Sequence, residues 1–300
     1  MSTQPATAAP QDIDLPKLER SLRHPRTLFS YCMSALTAAL TLMAMVPLFS
    51  VLIMLLWRGG RRLSLGLFTE LPPAAGMNGG GIANAIIGSL LVVALATIMS
   101  VPVGILVGVF LAGTNPEGRV AAAVRFAAKL LTGLPSILAG VFAFTAVVLL
   151  TGRFSPLAGG VALALLMLPT ILLTSEEALR MVPARMREAA VGMGATQTQT
   201  VLHVLLPAAR PGILTGVLLA VSRAAGETAP LLFTMTFSDY WLSSRFMEPT
   251  ASLAVLIFNF SKSPFENQKE IAWAASLVLV LLVLALNLGG QALSRRAFHR

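Results

Sequence analysis

Two opposite charges, Arg223 and Glu227, stand in the run AVSRAAGETAPLLFT (residues 220–234), which is otherwise mostly small and apolar. Four residues apart on a helix, they share one face about one turn apart. A guanidinium is a planar fork of donors that fits the oxygens of phosphate and similar oxyanions. A carboxylate beside it keeps that attraction from becoming a trap, which matters wherever an ion must leave as readily as it arrives. Pro230 cannot donate to the carbonyl of Gly226, and Gly226 itself weakens a helix, so a bend with a free carbonyl is expected at the pair. Ser222 and Thr228 add hydroxyls to the same turn. The plainer reading of the pair is two charges that neutralise each other and fix helix packing.

Composition sets the elements that must hold this pair. Of 300 residues, 56% are hydrophobic and 12% charged, with a mean hydropathy of +0.79. That balance describes a membrane chain. It is predicted to be all-α: its apolar runs reach the ~20 residues a helix needs to cross a bilayer core about 30 Å thick, whereas a barrel needs short alternating strands. Six spans are predicted, over residues 29–57, 84–111, 130–151, 156–174, 212–237 and 271–292. They leave an N-terminal segment (1–28), a transmembrane domain (29–292) with its longest inner loop at 175–211, and a C-terminal tail (293–300). An even number of spans puts both termini on one side. With the N-terminus inside, the inner flanks carry fourteen Lys and Arg and the outer loops seven, and Arg223 completes the 22. The excess places both termini in the cytoplasm; Arg58, Arg61 and Arg62 dissent on the outer side. A charge at mid-membrane costs on the order of 3 kcal/mol, and irregular backbone at that depth persists only where protein or water covers it. Arg223, Glu227 and Thr228 are therefore candidates to line a polar pathway.

Several classes of chemistry are missing. The net charge of +9 sits mostly on membrane flanks, which orientation already explains, so no nucleic-acid partner is expected. Cys32 is the single cysteine, within the first span, and is expected to be a buried inert thiol. His24, His203 and His299 are far apart with no thiol or carboxylate at ligand spacing, so no metal site is expected. No lysine follows a glycine as a phosphate-cradling G-x-x-x-x-G-K-[ST] loop requires, and neither G-x-S-x-G nor a Ser, His and carboxylate set occurs in the spans. A conduit fits better than an enzyme.

The inner loop, TSEEALRMVPARMREAAVGMGATQTQTVLHVLLPAARPG, reads as short helices with tight breaks. Thr174 with Glu177 and Thr196 with Gln199 have capping-box spacing, and Pro183 suits a first helical turn. Gly194 falls where the middle helix should end in the left-handed conformation. Ala189 and Ala190 beside Met186 and Met193 could lay an apolar face into a groove on another protein. The segment EAAVGMGATQTQTVLHVLLP resembles the EAA loop of ABC importer permeases. Glu188, Ala189, Ala190, Gly194, Leu206 and Pro207 match its pattern, and Val204 stands in the usual Ile position. The resemblance implies that these residues form the coupling helix and flank that dock on a separate ATPase subunit.

A second resemblance is narrower. RAAGETAPLLFT, Arg223 to Thr234, is similar to the signature of the A-type membrane subunit of phosphate-specific importers, the PstA family; GLPSILAGVFAF (133–144) and LPPAAGMNGGGIANAIIGSL (71–90) fit it too. It implies a type I ABC importer permease fold of six transmembrane helices in the bacterial inner membrane, translocating inorganic phosphate. The implied partners are a homologous PstC-like permease subunit, two copies of a PstB-like ATPase and an outer PstS-like phosphate-binding protein. This chain would bind no cofactor, ATP being used by the ATPase. Two alternatives stay open: a permease for another oxyanion, and a proton-coupled secondary transporter with Glu227 as the proton carrier. Outside these motifs, Leu71–Gly81 is expected to be a flexible outer loop, and the apolar patch from Leu253 to Phe260 an interfacial helix or a gate.

Overall fold

The computed structural model describes residues 25–113, 116–241 and 247–298, and every regular element among them is helical. The chain divides into two compact units, residues 1–53 and 54–300. The first holds nearly all of helix α1 (Pro25–Met54). Its side chains are exposed along its length, including Phe29, Leu42 and Met43, as suits a rod whose neighbours are lipid tails or another subunit. Cys32 is exposed on it, not buried as expected. Residues 1–24 of the predicted N-terminal segment lie outside the described residues.

The second unit opens with a widened π turn, Leu55–Gly59, and a short helix α2 (Leu65–Thr69) capped by Ser64. Helix α3 (Ala83–Gly113) is followed by α4 (Arg119–Gly133), α5 (Ser136–Ala143), a π turn at Phe144–Val148 and the single turn α6 (Leu149–Thr151). Then come α7 (Pro156–Arg180), α8 (Ala184–Gly192), α9 (Gln197–Thr200), a π turn at Val201–Leu205 and α10 (Leu206–Ala225). Helices α11 (Ala229–Thr234), α12 (Leu253–Ser261) and α13 (Glu266–Phe298) complete it.

Among the described residues, five stretches are long and apolar enough to cross a membrane: Thr27–Gly59, Ala83–Gly113, Pro156–Arg180, Gln197–Ala225 and Glu266–Ala292. A sixth crossing exists only as a broken pair, Arg119–Gly133 with Ser136–Thr151, bent by 104°. The predicted third span over 130–151 therefore runs through a corner. Pro135 explains it: a residue before proline is pushed out of the helical region, and Leu134 has ψ 139°. Three further boundaries differ from expectation. Helix α7 continues past Thr174 to Arg180, α9 to α10 form one run from Gln197, and α13 carries the expected tail on to Phe298. Each extension is a helix outlasting the apolar run that announced it.

Packing in this unit relies on small residues, as expected where lipid removes the hydrophobic drive between helices and close approach must supply the attraction. Helices α3 and α7 run side by side in the same direction, with Ala96 beside Gly160, Gly104 against Ile171 and Gly108 against Ser175. Helix α10 runs antiparallel to α7, Gly212 meeting Ala178 and Gly216 meeting Thr174. Helix α12 buries its apolar side within the unit: Leu253 and Leu256 are fully buried, and the Leu253 amide donates to Ser89 Oγ at 2.8 Å. The Leu71–Gly81 loop is likewise tied down, Asn267 donating to the carbonyls of Met77 and Gly79, and Gln268 to that of Pro73.

Candidate functional site

The α10 helix ends one residue before Gly226. The Gly226 amide donates to the Arg223 carbonyl at 3.1 Å and the Glu227 amide to that of Ala224 at 3.2 Å, a tightened last turn. Arg223 Nε lies 3.6 Å from Glu227 Oε1, an ion pair too long to be a good hydrogen bond. The guanidinium is thus held near the carboxylate without spending its donors. The Arg223 side chain is 57% exposed within the chain and that of Glu227 18%. The Thr228 hydroxyl has no partner among the described residues, while its carbonyl accepts from Leu231 and Leu232 as α11 begins. Ser222 is turned away, its Oγ 2.7 Å from Asn287 Oδ1 on α13.

The break is sharper than the expected bend. Pro230 lies in the first turn of α11, where its missing N–H is no loss, so Gly226 and Pro230 bracket an interruption between two helices. Helix α5 fixes where α11 lies: a Cβ on Gly140 would stand 2.6 Å from Pro230 Cα. The far end is pinned too, the Ser155 amide donating to the Thr234 carbonyl at 3.1 Å. The predicted fifth span over 212–237 is therefore a helix, a break and a single short helix.

The inner loop forms the opposite end of the same rod. At 1.5 Å per residue, α10 places Arg223 about 26 Å from Leu206. Pro183 precedes α8, and Thr174 does not cap anything: it lies inside α7, bonded to the Thr170 carbonyl. Gly194 takes φ +83°, and the Ala195 amide donates back to the Ala190 carbonyl at 3.0 Å, closing α8. Thr196 and Gln199 form a complete capping box. Glu188 and Ala189 are exposed, whereas Ala190 faces inward at 1%. Of the expected apolar face, Ala189, Met186 and Met193 are exposed and only Ala190 is turned inward, with Met181 and Val191 exposed nearby. Leu206 and Pro207 are half-buried at the start of α10, directly after the π turn.

Under this loop lies a cluster that sequence reasoning missed. Glu176 Oε1 is 2.7 Å from Arg125 Nε and 2.8 Å from an Arg180 Nη, with the carboxylate almost fully buried. The i,i+4 spacing of Glu176 and Arg180 was a usable signal; nothing in the sequence joined Arg125 to either. Among the described residues, no group of three or more His, Cys, Asp or Glu is placed to hold a metal ion.

A family model described as "Binding-protein-dependent transport system inner membrane component" matches residues 104–299, which include both the coupling-type loop and the ion pair. The chain belongs to this family. Within it the permease groups with relatives described as "Phosphate transport system permease protein PstA": 40% identical over 88% of this chain and 89% of the relative from Yersinia pestis, and 42% over 81% and 84% for that of Xylella fastidiosa. A "Probable phosphate transport system permease protein PstA" of Methanocaldococcus jannaschii is 34% identical over 84% of this chain and 88% of its own. Solved structures share the permease fold at low identity. A chain of a bacterial alginate ABC transporter superposes with TM-score 0.66 at 14% identity, covering 90% of this chain and 96% of its own. One of the inward-facing MetNI methionine ABC transporter does so at 0.61 and 20%, covering 72% and 95%. The permease is therefore an all-α, multi-pass type I importer subunit by fold, and a transport component by family.

Proposed function

We propose that this permease passes inorganic phosphate across the inner membrane as the PstA-type subunit of an ATP-driven importer. The observation that carries the reading is Arg223: a guanidinium more than half exposed in the chain, loosely held by Glu227, in the last turn of a membrane-crossing helix beside the break that ends it. Such a charge facing lipid would cost several kcal/mol, so its open side belongs against a water-filled pathway. A second, homologous PstC-like permease subunit would close that pathway. Its donors are unspent, which suits brief capture of an oxyanion, and the relatives named above share the phosphate description.

Movement would enter through the loop. Two PstB-like ATPase subunits would bind and hydrolyse ATP. One of them would grip the outward face of α8 around Glu188, with Gly194, Leu206 and Pro207 fixing its angle to α10. Closure of the ATPase pair would then swing α10, whose far end carries Arg223. An outer PstS-like protein would deliver phosphate on the opposite side, with both termini of this chain in the cytoplasm as the lysine and arginine bias indicates.

The test is labelled-phosphate uptake by cells carrying the whole transporter, with Arg223→Gln and Glu227→Gln at matched membrane levels and arsenate and sulfate as competitors. Uptake should fall at least about tenfold while ATP hydrolysis and assembly persist, and arsenate should compete where sulfate does not. Undiminished uptake would return the pair to a packing role, and stronger competition by sulfate would move the substrate to another oxyanion.

A further inference from the structure

The three arginines that break the positive-inside pattern come together in one cleft. At the end of the 54–300 unit away from the coupling loop, Arg58, Arg61 and Arg62 line a cavity of about 470 Å³ with Glu266, Lys269, Glu270 and Trp273. Four cations face two carboxylates there, and one carboxylate is already spent, Glu266 Oε1 lying 2.8 Å from Lys269 Nζ. Among the cleft's described residues, two positive charges are left over.

How the guanidinia are held says what they await. Arg58 lies over the Trp273 ring with Cζ 5.6 Å from its centroid, and Arg61 over the Trp57 ring at 5.1 Å. A cation–π contact holds a guanidinium in place without using its N–H donors on an acceptor oxygen. Neither has a carboxylate within 4 Å among the described residues. Arg62 acts as the fixed wall, donating to Asn267 Oδ1 at 2.6 Å, and Asn267 in turn fastens the Met77 and Gly79 carbonyls. Two guanidinia without a carboxylate partner, beside a rigid wall, suit oxygens arranged around one centre.

The cleft lies where two membrane-crossing stretches begin or end, Thr27–Gly59 and Glu266–Ala292. Tryptophan and arginine at that level mark the headgroup layer. We propose that this cleft is a binding site for a phosphoryl group, held by Arg58 and Arg61 against the wall made by Arg62. Two sources share that chemistry, the phosphodiester of an anionic phospholipid and free phosphate. The position at headgroup level and the two apolar flanks favour the lipid. The inference does not depend on what the permease transports.

The assembled transporter in nanodiscs of mixed phosphatidylcholine and phosphatidylglycerol, released into native mass spectrometry, reads the lipid arm. The native complex should retain phosphatidylglycerol, and Arg58→Gln with Arg61→Gln should lower retention about thirtyfold, the scale expected for two cations at an anionic surface. In nanodiscs of phosphatidylcholine alone, emission of Trp57 and Trp273 in a Trp241→Phe background reads the free-phosphate arm on titration with inorganic phosphate. Glu270→Gln separates binding from folding, since it removes a competing carboxylate and should raise retention or tighten the titration; a misfolded variant cannot gain. Retained lipid that inorganic phosphate does not displace assigns the headgroup, and a saturable emission change that the arginine variant loses assigns free phosphate. If neither readout differs between the native protein and the arginine pair, or if Glu270→Gln gains in neither, the cleft is not an anion site.

Discussion

Arg125 and Glu176 join two helices beneath the coupling loop through a 2.7 Å contact, and the arginine spends its remaining groups on backbone: Nη1 on the Pro116 carbonyl at 2.7 Å and Nη2 on that of Leu111 at 3.0 Å. One side chain thereby ties the end of α3, the chain ahead of α4 and the last turns of α7. Removing Arg125 leaves the buried carboxylate to the half-exposed Arg180 alone and frees two backbone carbonyls, which still destabilises, though by less than the ~3–5 kcal/mol of a fully orphaned buried charge. Arg125→Ala is therefore expected to lower the melting temperature of the purified complex by several degrees and to reduce its yield. Glu176→Gln, which keeps a hydrogen-bond acceptor, should cost less than Glu176→Ala. Equal melting temperatures for all three variants and the native protein would show that the cluster bears no weight.

Gly194 tests the loop. Its φ of +83° is a region that L side chains adopt at a cost of about 1–2 kcal/mol, yet a Cβ added there would meet nothing within 4 Å. The penalty of Gly194→Val is thus confined to the turn that aims α8. The variant should insert and assemble at native levels while phosphate uptake falls severalfold, and Gly194→Asn, which tolerates the left-handed region better, should fall less. Uptake equal to native in the valine variant would remove the turn from coupling.

What the sequence made legible follows from distance along the chain. Spans can be read because lipid forces every crossing helix to be about 20 apolar residues long, and the Thr196–Gln199 box because its two halves are three residues apart. The corner at Pro135 was also local, and reading the Leu134–Pro135 step as a helix stop would have shortened the third span. Arg125 and Glu176 are 51 residues apart, and no periodicity connects them. The α12 patch looked interfacial because an eight-residue apolar run suits several settings. Its burial comes from residues far away in the chain, Ile271, Ala274 and Ala275 of α13 packing on it and Ser89 of α3 accepting from its first amide. Arg223 and Glu227 were visible as charges out of place, but the helix break that gives them their setting depends on α5 closing against Pro230.

That closure can be tested at Gly140. With a Cβ 2.6 Å from Pro230 Cα and 2.9 Å from its carbonyl oxygen, Gly140→Ala must push α11 away, and Gly140→Val more so. Overpacking of this kind costs typically 1–3 kcal/mol. Here it should also shift the residues that follow Glu227. The expected signature is a graded loss of uptake, alanine before valine, larger than the loss of assembled complex measured on the same membranes. Parallel loss of both would reduce Gly140 to a packing residue.

The ion pair itself separates charge from shape. Lysine at position 223 keeps the positive charge but replaces a rigid fork with a flexible point charge, whereas glutamine keeps some hydrogen bonding and loses the charge. If Arg223 meets the substrate's oxygens in passage, Arg223→Lys should leave uptake measurable but raise the phosphate concentration for half-maximal rate, while Arg223→Gln should lower the maximal rate itself. If Arg223 only neutralises Glu227, lysine should restore native uptake at every phosphate concentration. The double variant Arg223→Gln with Glu227→Gln should then also be rescued relative to either single change, because no charge would be left without its partner. A native curve for lysine together with that rescue would assign the pair to packing; a shifted curve with no rescue would assign it to the pathway.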